Sequence, residues 1–287
     1  MHRLLKITLF FLLLSVSFFS CTNDDSVMIE TALSADNYRQ ELNVSYGTDS
    51  DQVYDIYLPE NRSLETKVLI LVHGGGWTSG DKNDMNNIKD VIRQDLSDYA
   101  VVNINYRLAD ENTQAYPTQI DDITSVINHL KANRTDYIIS DRFGFIGISA
   151  GAHLSMLWSY AFDTEDNVDM VCSIVGPTNF TDPAYLNNIS PEVQVLLDTF
   201  GTDITTTFLE EVSPLHQASS TAPPSILFYG GMDPLVPTTQ GVALDEKLTA
   251  LGVTHQFTLY ENEGHGWIGN NLLDTWNKIR LFTVTHF

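Results

Sequence analysis

Four short segments hold residue types that together can perform acyl transfer. Gly147-Ile148-Ser149-Ala150-Gly151 places a serine between two glycines, after the apolar run Phe143–Ile146 and before an apolar segment with helical spacing. A serine on a tight strand-to-helix turn has its hydroxyl exposed and the following backbone N–H free to bind an anion. An alcohol is a weak nucleophile at neutral pH and needs an imidazole to take its proton. His265, in Glu263-Gly264-His265-Gly266-Trp267, is the best candidate for that base, because flanking glycines let a loop carry the ring over the serine. Asp233, in Gly230-Gly231-Met232-Asp233-Pro234, follows an apolar run and is placed to accept the second imidazole N–H and hold the tautomer. Upstream, His73-Gly74-Gly75-Gly76-Trp77 can turn backbone N–H groups inward without a Cβ clash. The N–H groups of Gly75, Gly76 and Ala150 are the expected donors to a tetrahedral oxyanion, the last helped by a helix dipole.

Other residues read as supports. Asp182 is the second candidate for the acid. His255 at a strand start, and His129 and His153 on helices, fit the base less well, and His153 is expected to pack. His73 is expected to brace the glycine loop, as are Asp81 and Lys82. Asp121 or Asp122 is expected to be a structural partner near a helix start. Trp77 has two open readings, wall of an acyl pocket or packing residue. The cysteines and histidines lack zinc-ligand spacing, and the glycine segment matches neither a P-loop nor a dinucleotide fingerprint. No metal and no cofactor are expected.

The elements that must position these residues alternate between strand-like and helix-like runs, the pattern of a mostly parallel sheet with helices on both faces. Strands are expected at 42–46, 53–58, 68–72, 101–105, 143–148, 170–175, 226–229 and 256–260, the first two as an antiparallel edge pair. Helices are expected from Pro117 to Asn133, from Ala150 to Tyr160, from Pro237 to Leu251 with Gly252 closing it, and from about Leu272 to Phe282. Residues 177–224 break the alternation, with helical candidates near Pro191–Phe200 and Thr206–Val212. That stretch is either part of a substrate cap or a surface excursion.

The combination resembles the α/β-hydrolase esterases, particularly the hormone-sensitive-lipase-like and bacterial feruloyl-esterase-like branches, over about Val44 to Phe282. Supporting segments are Val53–Pro59, Val102–Leu108 and the serine pentapeptide. Asp233-Pro234-Leu235 looks like the first branch, whereas Val236-Pro237 and Trp77 look like the second. The resemblance implies an α/β-hydrolase fold with a central sheet of about eight strands, and cofactor-free hydrolysis of carboxylic esters. Acetyl or feruloyl esters on polysaccharides are the expected substrates. HGGGW is also similar to a segment of arylformamidases. An amidase, a peptidase on the same fold, or a surface binding protein without catalysis are the alternatives.

At 287 residues the chain suits one catalytic domain, expected at 38–287. Residues 1–20 pair a basic start with the apolar run Ile7–Phe19, and Ser20-Cys21 follows. This resembles a bacterial lipoprotein signal and implies lipidation at Cys21, a tether over 21–37 and a place in the cell envelope. Loss of Arg3 and Lys6 leaves 13 basic against 37 acidic residues, a formal charge of −24. Such a field repels nucleic acid and anionic membrane surfaces, so contact with a membrane is expected only through the anchor. Cys172, within an apolar run, reads as a small buried hydrophobe.

Overall fold

The computed structural model describes residues 35–187, 194, 198–201 and 204–287. Cys21 and the expected signal at 1–20 therefore lie outside the described residues, as does most of the helical candidate at 191–200. The compact unit begins at Ala35, slightly before the expected boundary. The cause is local: the Asn37 carbonyl accepts a 2.7 Å bond from the Arg62 guanidinium.

Eight strands form one sheet: β1 (Arg39–Ser45), β2 (Val53–Leu58), β3 (Val68–Val72), β4 (Ala100–Ile104), β5 (Phe143–Ile148), β6 (Val168–Ile174), β7 (Ser225–Gly230) and β8 (His255–Tyr260). Their spatial order is β1-β2-β4-β3-β5-β6-β7-β8. The first three in that order pair antiparallel, and every later pairing is parallel. The fold is that of an α/β-hydrolase.

The interior strands carry unbroken apolar runs because both of their faces are covered. In β3, Val68, Ile70 and Val72 enter one core while Leu69 and Leu71 enter the other. On the first face lie α2 (Thr118–Ala132), α4 (Ala150–Ala161) and α8 (Thr238–Leu251), contributing Ile123, Leu157 and Leu244 among others. On the second lie α1 (Asn86–Asp95) and α9 (Asn270–His286), which contribute Ile92, Ile279 and Phe282. Short helices α3 (Arg134–Tyr137), α5 (Pro183–Leu186), α6 (Thr206–Glu211) and α7 (Pro214–Gln217), with a 3-10 turn at Lys82–Met85, complete the described elements.

Strand β1 begins at Arg39, before the expected 42, β6 begins at Val168, before the expected 170, and three helices also differ from expectation. Helix α1 was not foreseen; its sequence is mostly polar, and Ile92 is its only fully buried residue. Helix α9 extends past Phe282 to His286 because Thr283 is also buried and Phe287 packs under the sheet against Tyr99. Helix α2 starts at Thr118, with Pro117 as its cap, and ends at Ala132.

Helix α4 packs tightly on the end of β3. A Cβ on Gly151 would lie 2.2 Å from the Val72 carbonyl oxygen and 2.3 Å from that of His73. Gly151→Ala must therefore push α4 away from the sheet. Overpacking of this kind costs about 1–3 kcal/mol. A lower urea midpoint together with reduced turnover is the expected outcome, and an unchanged midpoint would contradict the packing argument.

Candidate active site

The C-terminal ends of the parallel strands β3, β5, β7 and β8 supply the loops that carry the candidate residues. This is where open α/β sheets form their crevice. β5 ends at Ile148 and leads into Ser149, which adopts φ 52° and ψ −119° before α4 begins at Ala150. Two bonds hold this strained residue: its N–H donates to the Ile174 carbonyl (2.8 Å), and its carbonyl accepts from the His153 N–H (3.0 Å). The loop after β7 brings Asp233, and the loop after β8 brings His265. The Met232 N–H donates to the Glu263 carbonyl at 2.8 Å, and the Gly231 N–H to that of Tyr260 at 2.8 Å. The two loops are thus tied together.

Ser149, His265 and Asp233 come together as one hydrogen-bonded run. His265 Nε2 is 2.8 Å from Ser149 Oγ, and His265 Nδ1 is 2.7 Å from Asp233 Oδ2. The Asp233 side chain is fully buried, and its Oδ1 accepts from the N–H groups of Leu235 (2.8 Å) and Val236 (3.0 Å). With one oxygen held by backbone, the other is aimed at Nδ1–H, which leaves Nε2 free to accept the serine proton. Asp182 is elsewhere. It caps α5 through the Ala184 N–H and accepts from Thr239 and Gln240. His255 contacts Asp245, and His129 contacts the Tyr54 hydroxyl.

The glycine loop after β3 bends back beside Ser149. Gly75 has φ 113°, and a Cβ there would sit 1.9 Å from the Ser79 carbonyl oxygen, so only glycine fits. Its carbonyl accepts from the N–H groups of Thr78 and Ser79. Among the described residues, neither the Gly75 nor the Gly76 N–H donates to a protein acceptor. Ala150 is the first residue of α4, so its N–H has no intrahelical acceptor. His73 lies beneath the loop, stacked on Tyr106 at 4.3 Å, with Nδ1–H donating to the Gly74 carbonyl. Burial lowers its pKa and keeps the ring neutral. Past the loop, Lys82 forms a buried ion pair with Asp55 (3.2 Å), and Asp81 accepts from Asn105. Of the two candidate partners at the start of α2, it is Asp122 that is buried, gripping the Arg107 guanidinium with both oxygens.

Ser149 opens on a cleft of about 470 Å³, lined mainly by apolar groups that include Trp77, Phe180, Tyr185, Leu235 and Val236. Trp77 answers to both of its expected readings. It lines the cleft and also packs edge-on against Phe180 (5.9 Å) and Phe200 (4.9 Å). Its indole N–H donates to His153 Nδ1 at 3.2 Å, while His153 Nε2–H donates to the Val212 carbonyl at 2.8 Å. Phe180, Tyr185 and Phe200 were not singled out from sequence. Isolated aromatics in an irregular stretch carry no periodic signal. They place the described part of 177–224 against the glycine loop and α4. Among the described residues, no group of three or more His, Cys, Asp or Glu is arranged to hold a metal ion, and no helix is long and apolar enough to cross a membrane.

The BD-FAE family model matches residues 54–248. Esterase LipC of Mycobacterium tuberculosis is 26% identical over 267 residues, covering 85% of this chain and 63% of its own length. Carboxylesterase NlhH of the same species is 26% identical over 249 residues, covering 80% of this chain and 75% of NlhH. The chain thus spans a little under two thirds of LipC. Among solved structures, a truncated carbohydrate esterase from gut microbiota aligns with TM-score 0.72 at 21% identity, covering 86% of this chain and 96% of that one. Esterase B from Lactobacillus rhamnosis aligns with TM-score 0.68 at 21% identity, covering 88% and 87%. Both structures share the fold.

The His153 contacts generate a pH prediction. Burial pushes its imidazole down to about 4, whereas an unfolded ring titrates near ~6.5. Between those values the unfolded chain binds the extra proton. The stability tied to the neutral ring is therefore complete above the unfolded value and is lost as pH falls towards the folded one. The loss is on the order of 3 kcal/mol. Urea unfolding at several pH values should show His153→Gln declining less steeply than wild type across this window. Parallel declines would contradict the assignment.

Proposed function

The chain belongs to the BD-FAE family, and on that footing we propose that it is a serine carboxylesterase acting through Ser149, His265 and Asp233. One observation carries the reading: an unbroken run of bonds, 2.7 and 2.8 Å long, leads from a buried carboxylate through an imidazole to a serine at an apolar cleft. Ser149 Oγ attacks the ester carbonyl while His265 Nε2 takes its proton. Asp233 stabilises the resulting imidazolium and keeps the ring in place. The N–H groups of Gly75, Gly76 and Ala150 receive the developing oxyanion, preorganised before the charge appears. His265 then returns the proton to the departing alkoxide, leaving an acyl-enzyme. Water, deprotonated by the same nitrogen, attacks that acyl group and releases the acid and free Ser149. The acyl group rests against Trp77, Phe180, Tyr185, Leu235 and Val236.

Acetyl or feruloyl esters on polysaccharides are the proposed substrates. The names of two fold neighbours favour sugar-linked esters: the gut-microbiota carbohydrate esterase and an acetyl ester-xyloside bifunctional hydrolase from Caldicellulosiruptor lactoaceticus. We also propose that Cys21 carries a lipid that holds the enzyme in the bacterial cell envelope, on the strength of the basic, apolar, Ser20-Cys21 sequence.

A panel of acetyl, butyryl, feruloyl and formamide substrates tests the activity. Wild type should turn over the esters, and Ser149→Ala should lose that turnover. Asp233→Asn should reduce kcat by on the order of 10⁴, through loss of the tautomer lock, whereas Asp182→Asn should mainly lower the melting temperature. A phosphonate should label Ser149 on peptide mapping; full activity after phosphonate treatment would reject the serine mechanism. Faster turnover of the formamide than of any ester would favour an amidase. For the anchor, mass spectrometry of the membrane fraction should find acylated Cys21 as the first residue, and a mature chain beginning elsewhere would refute it.

A further inference from the structure

The end of the sheet opposite Ser149 carries a second cavity. In register, Tyr57 of β2 faces Val101 of β4, and Ala100 is level with Val68 and Phe143. Tyr57 therefore lies near the strand starts, while Ser149 follows the strand ends, about 20 Å away along the strand direction. The cavity there has a volume of about 370 Å³ and, unlike the cleft at Ser149, a mostly polar lining. Three tyrosines face it. Tyr57 is buried, Tyr99 is half-buried, and Tyr38 is exposed. Arg93 also lines it, its guanidinium 4.6 Å from the Tyr38 ring centre and 5.3 Å from that of Tyr57. Glu60 and Asp98 add exposed carboxylates. A further cavity of about 340 Å³ shares Asp98 and Tyr99, so the two adjoin across this end of the sheet.

The chemistry of this lining selects its ligand. Arg93 lies over the rings of Tyr38 and Tyr57, Lys89 over that of Tyr57, and Phe287 packs on Tyr99, so rings and guanidinium are held in place. A guanidinium supplies donors in a fixed fork, and carboxylates supply acceptors, so a ligand must present both hydroxyl acceptors and hydroxyl donors. An anionic ligand would meet Glu60 and Asp98 as well as the formal charge of −22 on the whole chain. Arg93, with Lys89 over the Tyr57 ring, in turn disfavours a cation. A neutral, hydroxyl-rich ligand satisfies the guanidinium and the carboxylates together, and the adjoining cavity suits an extended chain. We infer that the Tyr38–Tyr57–Tyr99 cavity, with Arg93, Glu60 and Asp98, is a non-catalytic binding site for a neutral saccharide chain.

This inference goes beyond the esterase reading and does not depend on Ser149. Binding is measured on full-length Ser149→Ala protein, so that loss of hydrolysis and loss of binding are separate results. The probes are xylotetraose, mannotetraose and cellotetraose by calorimetry, with polygalacturonate as the anionic control. At least one neutral probe should bind, and Tyr38→Ala and Arg93→Met should each weaken that binding at least tenfold. Because Tyr38 is exposed, Tyr38→Ala should keep the melting temperature of its parent, which separates a lost contact from a lost fold. Tyr99→Ala should weaken binding likewise. Absence of binding by all three neutral probes, binding of polygalacturonate alone, or unchanged affinity in Tyr38→Ala and Arg93→Met would each overturn the inference.

Discussion

The left-handed backbone at Ser149 is the constraint on which the rest of the site depends. A non-glycine residue at φ 52° and ψ −119° costs on the order of 1–3 kcal/mol and persists only where its surroundings leave no alternative. Here the surroundings are β5 on one side and α4 on the other. β5 lies inside the sheet between β3 and β6, with Phe143 and Phe145 in one core and Ile146 in the other. Helix α4 lies against the end of β3 at a distance that excludes any Cβ at Gly151. The turn between two such rigid pieces has no freedom to relax, and its geometry aims the hydroxyl outward.

Parallel pairing does the remaining positioning. Since β3, β5, β7 and β8 run the same way, the loops that follow them emerge at one end of the sheet, whatever their separation in sequence. Ser149 and His265 stand 116 residues apart and still meet. Further contacts sharpen this coarse placement. The Asp233 loop is bound to the His265 loop by backbone bonds. The glycine loop leads into a segment held on the edge strands by the Lys82–Asp55 pair. Breaking such a buried pair costs about 3–5 kcal/mol, because one charge is left without a partner. The pair therefore acts as a clamp on position more than as a source of net stability.

Aromatic packing joins the irregular stretch after β6 to this rigid frame. Phe180 and Phe200 press on Trp77 and His153, so one wall of the cleft comes from the glycine loop and another from the intervening stretch. His153 serves both: it accepts from the Trp77 indole and donates to the Val212 carbonyl. Its neutral state follows from burial in that double role, since a charged ring there would have no solvent and only one acceptor.

The candidate site was legible in the sequence because its requirements are local. A strained elbow needs small neighbours, a turned-in loop needs glycine, and loops after strands can be located from apolar runs; Ser149, His265, Gly75, Gly76 and Ala150 all follow from such rules. The interior strands were legible because burial on both faces writes a continuous apolar run, whereas the edge strand β1 has no fully buried residue and begins three residues before the expected 42. The choice of Asp233 over Asp182 was less secure, because both carboxylates precede a proline in turn-rich chain. Only the tertiary structure separates them, directing one to His265 and the other to Thr239 and Gln240. Helix α1 and the contacts of Phe180, Phe200 and His153 were likewise beyond the sequence. Helix α1 carries only Ile88, Val91 and Ile92 as apolar residues, a single short stripe among polar ones, and a contact between distant aromatics depends on where the sheet delivers them. Local backbone demands are thus written in residue types, whereas partners far apart in the chain are chosen by strand order and packing.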